Sequence, residues 1–152
     1  MQVSEAMSRN VKLANPNHSI REAACMMAEI DAGVLPVGDN DRLLGMITDR
    51  DIAIRAVAAG KSPDTPVREI MSAEVKYCFE DEDLNEIAQN MADIQLRRLP
   101  VLNHDKRLVG IVSLGDMALT DGPVNAGSAL CGISEPGGPH SQSIDGARAR
   151  AR

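Results

Sequence analysis

Two short stretches of the sequence carry a hydroxyl and a carboxylate at the same spacing after an apolar run. They read GMITDRD and GIVSLGD, and they place Thr48 three residues before Asp51 and Ser113 three residues before Asp116. An apolar strand that ends at a hydroxyl residue predicts a strand-to-helix junction. The N-terminus of a helix attracts phosphate, because its first backbone N–H groups are unpaired and its dipole is positive there. The hydroxyl can donate to that phosphate, and a carboxylate one turn later can accept from both hydroxyls of a ribose.

The same residue types also have a purely structural interpretation. A hydroxyl at the N-cap with an acid three positions later is a variant of the capping box, which contributes about 0.5–2 kcal/mol to helix stability. A duplication copies helix caps as readily as it copies binding sites. The two stretches by themselves therefore leave both interpretations open.

Both stretches belong to a tandem repeat that covers most of the chain. The pattern Val3-x-x-x-Met7-Ser8 recurs at Val67-x-x-x-Met71-Ser72, and Leu-Pro-Val at 35–37 recurs at 99–101, each at an offset of 64 residues. After one inserted residue the offset becomes 65, and RLLGMIT aligns with RLVGIVS. Matches spread this widely indicate a duplicated unit of about 60 residues.

Each half predicts the order β-α-β-β-α. In the first half, Ser19 and Glu22 form a capping box, and apolar residues continue at helical spacing to Ile30. Further strands are expected at Val34–Val37, Leu43–Ile47, Leu99–Leu102 and Leu108–Val112, with short ones around Val11 and Val75. Further helices are expected from Asp49 to Ala59, after Asp83 and from Ser113. We expect the halves at 1–60 and 67–121 with a linker at 61–66. The Gly- and Pro-rich tail at 122–152 is expected to be extended or disordered.

Composition narrows the class of protein. A chain of 152 residues is large enough to fold without disulfides or metal. Cys25, Cys78 and Cys131 show no Cys-x-x-Cys spacing, which favours free thiols in a reducing cytoplasm. The net charge of −6 argues against nucleic acid as a partner. No apolar run approaches the roughly 18–20 residues of a membrane span.

Catalytic and metal motifs are lacking in the sequence. The three histidines fall in no metal-ligand spacing, and no nucleophile elbow is present. The sequence therefore predicts neither an enzyme nor a metal site.

The repeated motifs resemble a known family. Leu-Pro-Val, a turn and Gly-h-h-Thr/Ser-x-x-Asp (h is apolar), occurring twice over residues 1 to about 121, closely resemble a tandem CBS-domain pair, named for cystathionine β-synthase. The likeness is greatest to the small stand-alone bacterial members. It implies an α/β (α+β) fold of two pseudo-symmetric halves packed through their sheets, with two clefts between them. It also implies pairing into a homodimer.

The resemblance further implies the ligand and the residues that contact it. Such clefts bind adenosine compounds, including AMP, ADP, ATP, NAD and S-adenosylmethionine, as effectors and not as catalytic cofactors. Asp51 and Asp116 would hold the riboses, and Thr48 and Ser113 the phosphates. The adenine would contact backbone and side chains near Val11, Val34, Leu35, Pro36, Val75, Leu99 and Pro100.

The two halves differ where arginines occur. Arg50 precedes the first Asp, whereas Gly115 precedes the second; Arg97 and Arg98 replace Gly33 and Val34. Guanidinium groups suit phosphate because they donate two parallel hydrogen bonds. We expect Arg50 and one of Arg97 and Arg98 to serve phosphates, with one site stronger than the other. Exposed, solvated arginines are the alternative.

The expected function is regulatory sensing of an adenosine ligand, acting on a separate target protein that the sequence does not name. The alternative is a protein-interaction adaptor or dimerisation scaffold with vestigial clefts, in which Met7, Met71 and Met117 contribute to a pliable surface.

Overall fold

The computed structural model describes residues 1–136 and divides them between two compact units. Unit 1 comprises Met1–Arg9, Tyr77–Asp105 and the chain from Val109 onward; unit 2 comprises Asn10–Lys76 and Lys106–Leu108. Each unit has its own hydrophobic core. The predicted boundaries at 60 and 67 delimit the sequence repeat, whereas the compact units divide the chain differently.

Unit 2 contains one helix and one hairpin followed by a second, irregular helix. Its elements are α1 (Ile20–Ile30), β1 (Val34–Asp39), β2 (Arg42–Thr48) and α2 (Asp49–Asp51), and α2 continues into a π-helical turn over Ile52–Val57. Strands β1 and β2 pair antiparallel. The predicted capping box is present, because the N–H of Glu22 donates to Ser19 Oγ and the N–H of Ser19 donates to Glu22 Oε2.

Unit 1 repeats this arrangement and extends it. Its elements are β3 (Cys78–Phe79), α3 (Leu84–Ile94), β4 (Arg98–Leu102), β5 (Leu108–Ser113), α4 (Leu114–Asp121) and α5 (Pro123–Ile133). The strand order is β3-β4-β5, with β3 parallel to β4. Asp83 caps α3 as predicted, accepting from the N–H of Glu86. The mixed α/β fold class is confirmed.

The predicted first strand of each half is misplaced by about three residues. Val11 and Val75 lie outside any strand; instead Ala14 forms a parallel bridge to Val37, and β3 begins at Cys78. Ala14 and Cys78 are each 2% exposed. The first bridge or strand of each half therefore forms at a small residue that the core buries. β propensity alone would favour the nearby valines.

The first part of the Gly- and Pro-rich tail is a helix, which corrects the expectation of an extended or disordered segment there. Pro123 occupies the first turn of α5, where its missing N–H costs nothing. Ala126, Ala129 and Ile133 are buried. Gln95 at the end of α3 donates to the carbonyls of Gly132 and Glu135 at 3.1 Å each. Tertiary contacts thus hold α5 where composition predicts none, and the rest of the expected tail, 137–152, lies outside the described residues.

Each copy opens with a short 3-10 helix, Val3–Glu5 in the first and Val67–Glu69 in the second. These opening segments exchange places, because the first belongs to unit 1 and the second to unit 2. Ser8 pairs with Ile111 in unit 1, and Ser72 pairs with Met46 in unit 2, each through two backbone hydrogen bonds of 2.8–3.0 Å. A Cβ on Gly110 would lie 2.7 Å from the carbonyl oxygen of Ser8. The neighbouring backbone explains why these motifs carry glycine at this position.

Candidate functional site

In unit 2, Thr48 and Asp51 form a reciprocal capping box at the start of α2. The N–H of Asp51 donates to Thr48 Oγ1 at 2.9 Å, and the N–H of Thr48 donates to Asp51 Oδ2 at 2.9 Å. Both residues are half-buried. Strand β2 delivers the hydroxyl to the helix start, and the first turn of α2 returns the carboxylate to it.

Unit 1 repeats the same geometry at the start of α4. The N–H of Asp116 donates to Ser113 Oγ at 3.0 Å, and the N–H of Ser113 donates to Asp116 Oδ2 at 2.9 Å. Ser113 and Asp116 are also half-buried. The predicted strand-to-helix junction is thus present in both copies.

These caps leave part of each carboxylate available. Oδ2 of Asp51 and of Asp116 accepts the cap hydrogen bond, whereas no donor in residues 1–136 pairs with either Oδ1. A carboxylate held in this way can still accept from a ligand hydroxyl. The capping and ligand-binding interpretations of the motif are therefore compatible.

The residues that follow the hydroxyls are bonded to the chain before β1 and β4. The N–H of Asp49 donates to the carbonyl of Gly33, and the N–H of Leu114 donates to the carbonyl of Arg97, both at 2.9 Å. A Cβ on Gly33 would lie 2.7 Å from Asp49 Oδ2. The sequence analysis did not assign this contact between Gly33 and Asp49, although the replacement of Gly33 by Arg97 in the second copy marked the position.

The three arginines expected at phosphates are all exposed. Arg50 lies in the first turn of α2, Arg97 precedes β4, and Arg98 is the first residue of β4. The fold brings Arg97 to the start of α4 through its carbonyl.

The residues expected around adenine divide into core and partly exposed positions. The side chains of Leu35 and Leu99 belong to the two hydrophobic cores, at 1% and 3% exposure. Pro36 and Pro100 are buried as well, whereas Val11, Val34 and Val75 are half-buried. Val11, Val34, Leu35, Pro36 and Val75 lie in unit 2, and Leu99 and Pro100 lie in unit 1.

Three residues of unit 1 outside the predicted site have shifted pKa values. Burial, with a smaller contribution from Glu82, raises the pKa of the Cys78 thiol to about 12. His104 Nε2 lies 2.7 Å from Asp81 Oδ2, which raises the pKa of His104 and lowers that of Asp81. His104 is exposed, and its ring stacks on Phe79.

Residues 1–136 contain no group of three or more His, Cys, Asp and Glu side chains placed to hold a metal ion. In the same range, none of the helices combines the length and apolar character needed to cross a bilayer.

Two α/β units, each with a hydroxyl–carboxylate cap at a strand-to-helix junction, define a duplicated α/β module. The family model for the CBS domain matches residues 3–57 and 67–119, so the chain belongs to the CBS-domain family. CBS domains are regulatory and not catalytic, and the chain is accordingly a non-catalytic module.

Relatives and solved structures agree with this membership. The CBS domain-containing protein YhcV of Bacillus subtilis is 43% identical over 133 residues, which is 87% of this chain and 94% of that protein. The CBS domain pair of protein MJ0100, in complex with 5′-methylthioadenosine and S-adenosyl-L-methionine, is 32% identical with a TM-score of 0.70, covering 80% of this chain and 96% of that one. The CBS domain protein PAE2072 of Pyrobaculum aerophilum, complexed with AMP, is 25% identical with a TM-score of 0.70, covering 77% and 90%.

Proposed function

We propose that the chain is a regulatory module that binds an adenosine-containing ligand at its two hydroxyl–carboxylate motifs. The observation that carries the proposal is the repeated cap in which Asp51 and Asp116 each keep Oδ1 free of protein donors within residues 1–136. A ribose presents two neighbouring hydroxyls, and a fixed carboxylate accepts from them without losing further side-chain entropy. Asp51 and Asp116 accordingly hold the riboses.

The other site residues take the roles that the motif implies. Thr48 and Ser113 contact the 5′ substituent of the ligand, and Arg50, Arg97 and Arg98 are the cations available to it. Val11, Val34 and Val75 offer half-buried aliphatic side chains to adenine. Leu35, Pro36, Leu99 and Pro100, which are buried, contribute mainly through their backbone.

The solved relatives support adenosine as the common element. AMP, S-adenosylmethionine and 5′-methylthioadenosine share adenine and ribose and differ at the 5′ position. ADP, ATP and NAD present the same adenosine to the motif and are included in the proposal. The regulated target is a separate protein, and the exposed free thiols of Cys25 and Cys131 suit a reducing cytoplasm.

Thermal unfolding with a panel of adenosine compounds tests the proposal. A ligand at one hundred times its Kd stabilises the protein by about 2.7 kcal/mol, so the Tm rises with ligand concentration. Asp51→Asn and Asp116→Asn each remove the ligand-dependent rise at one site, because an amide keeps the cap acceptor and loses the charge. Asp64→Asn, at an exposed position, is the matched control. If no adenosine compound raises the Tm of the wild-type protein, the proposal is wrong.

A dimerisation scaffold is the second candidate function. Leu119 and Val124 of unit 1 are 91% and 78% exposed, and Val57 of unit 2 is 68% exposed. Large apolar side chains that are exposed on helices favour an interface. A homodimer covers these side chains with the same elements of a second copy.

A further inference from the structure

We propose that one exposed face of α1 in unit 2 docks a helix of a partner protein, in the way that α3 of unit 1 docks α5. This α1 face consists of Arg21, Ala24 and Ala28 of the helix and Asp31 at its C-cap. The inference goes beyond the proposed function, because it assigns a surface and a class of partner and does not depend on the adenosine ligand.

Helices α1 and α3 are equivalent elements of the two copies. Each has 11 residues, begins after a capping side chain and ends at a residue with a positive φ, which is 53° for Asp31 and 56° for Gln95. At the repeat offset of 64 residues, the two alanines of the α1 face correspond to Ala88 and Ala92 of α3. The same small residues therefore recur at the same places on both helices.

In unit 1 these alanines hold a helix. A Cβ on Gly132 of α5 would lie 2.7 Å from the Cβ of Ala92. Ala88 is 4% exposed and belongs to the same core as Ala126 and Ala129 of α5. Small side chains at the contact allow two helix backbones to approach closely. The alanines of α3 thus form the seat on which α5 packs.

Polar contacts at both ends show that α5 runs parallel to α3. At the start of the two helices, Asn125 Nδ2 donates to Asn85 Oδ1 at 2.6 Å. At their ends, Gln95 Nε2 donates to the carbonyl of Glu135 at 3.1 Å. Both contacts join residues that are 40 positions apart. The docked helix therefore has its first turn at the first turn of α3 and its last turn at the C-cap.

In unit 2 the equivalent alanines are not covered. Ala24 and Ala28 are both exposed, whereas Ala88, the counterpart of Ala24, is 4% exposed under α5. The difference in burial arises because α5 has no counterpart in unit 2. The residues that hold a helix in one copy are thus present and open in the other. The packing of α5 on α3 identifies a helix as the shape that fits them.

The charges at the ends of the α1 face define the chemistry of the partner helix. Arg21 stands where α3 has the neutral Asn85, and Asp31 stands where it has the neutral Gln95. Neither Arg21 nor Asp31 forms an ion pair within residues 1–136. A helix docked parallel to α1 places its first turn at Arg21 and its last turn at Asp31. The fitting partner helix therefore carries an acid in its first turn, small residues in its middle and a base in its last turn. These end charges also stabilise a helix through its dipole.

Helix α5 of a second copy fits this face less well. In the parallel arrangement Glu135 would come next to Asp31, because in unit 1 it meets Gln95 at the equivalent place. Two carboxylates there would repel each other. Helix α5 also buries Ala126, Ala129 and Ile133 in its own unit. The occupant is accordingly a helix of another protein, as a regulator with a separate target requires.

Binding of a synthetic helix to the full-length protein tests the proposal. The probe is a peptide of residues 122–136 with Asn125→Asp, Cys131→Ser and Glu135→Lys, which keeps the small residues of α5 and supplies the two end charges. We expect one peptide to bind per chain by calorimetry. In the protein, Ala28→Arg should weaken binding by about tenfold or more, because a long side chain fills the place of closest approach. Ala73→Arg adds the same side chain at an exposed position outside α1 and should leave binding unchanged.

Asp31→Asn tests the charge pairing in a residue type that tolerates the positive φ of this position. It should weaken the peptide by about two- to fivefold, and the loss should shrink as salt concentration rises. The proposal is overturned if the peptide does not bind, or binds wild type and Ala28→Arg equally. If Ala28→Arg alters the sedimentation of the protein alone, the face belongs to a second copy and the proposal also fails. The rise of Tm with adenosine compounds should be the same in Ala28→Arg and wild type, so each of these failures leaves the proposed function intact.

Discussion

Asp51 and Asp116 each cap a helix and keep an acceptor for the proposed ligand. Oδ2 accepts the N–H of the residue that begins each cap, and the geometry is the same within 0.1 Å in both copies. The cap fixes the carboxylate, and under the proposed function Oδ1 accepts from the ribose. Replacement by alanine removes both roles at once, which is why asparagine is the informative substitution.

A second residue-level feature is the ion pair of His104 and Asp81. The hydrogen bond to Asp81 raises the pKa of His104 above its ordinary value of 6.5. It lowers the pKa of Asp81 below its ordinary 3.8. The histidine contribution to stability is complete below pH 6.5 and is lost as pH rises through the raised pKa. The aspartate contribution is complete above pH 3.8 and is lost as pH falls through the lowered pKa.

NMR titration of the His104 ring checks this pair directly. We expect a pKa above 6.5 in the wild-type protein and a fall toward that value in Asp81→Asn, because the hydrogen-bond acceptor loses its charge. Asp105→Asn removes an equal charge without breaking that hydrogen bond, so its effect should be smaller. An unchanged pKa in Asp81→Asn would contradict the assignment. Both side chains are exposed, so the effect on stability is small.

At the level of elements, the chain after each opening segment lies close against the strand that leads into a motif. These strands are β2 and β5. Gly45 and Gly110 are buried where the backbone of Ser72 and Ser8 crosses them, and a Cβ at either would lie 2.7 Å from a carbonyl oxygen. Strand β5 leads directly into Ser113. Loosening this contact should therefore disturb the cap as well as the core.

Gly110→Ala tests that contact. We expect unfolding free energy to fall by about 1–3 kcal/mol, because the added methyl has no space, and urea denaturation measures it. Gly127→Ala in α5, where a Cβ meets nothing within 4 Å, is the matched control and should raise helix stability by about 0.5–1 kcal/mol. Equal stabilities for the two variants would show that the crossing backbone adapts freely.

Helix α5 lies beyond the residues matched by the family model, which end at 119. A Cβ on Gly132 would lie 2.7 Å from the Cβ of Ala92, so α3 and α5 meet at a pair of small residues. Asn125 adds a hydrogen bond to Asn85 of α3. This helix covers one face of α3 and has no counterpart in unit 2.

Assembly into the proposed homodimer is a property of the whole molecule. We expect Leu119→Glu to convert the proposed homodimer to a monomer, because a charge replaces a side chain that the interface must bury. Sedimentation velocity measures the change. Thr120→Glu adds the same charge at a neighbouring exposed position and is the control. A wild-type protein that sediments as a monomer would contradict the proposed homodimer.

The sequence alone determined the features that local chemistry controls. The offset between the two copies located the repeat. Apolar spacing located α1 and α3. A hydroxyl and an acid three residues apart specified caps that form within one helical turn, and the resemblance to the CBS family followed from those residues.

Tertiary structure decided what depends on partners distant along the chain. The crossing of Ser8 at Gly110 joins residues about one hundred positions apart, and helix α5 forms where burial of Ala126, Ala129 and Ile133 compensates for a poor helical composition. The position of the Asp49 carboxylate beside Gly33 also depends on how the chain folds back before β1. Such contacts stabilise only the assembled unit, so no local pattern records them.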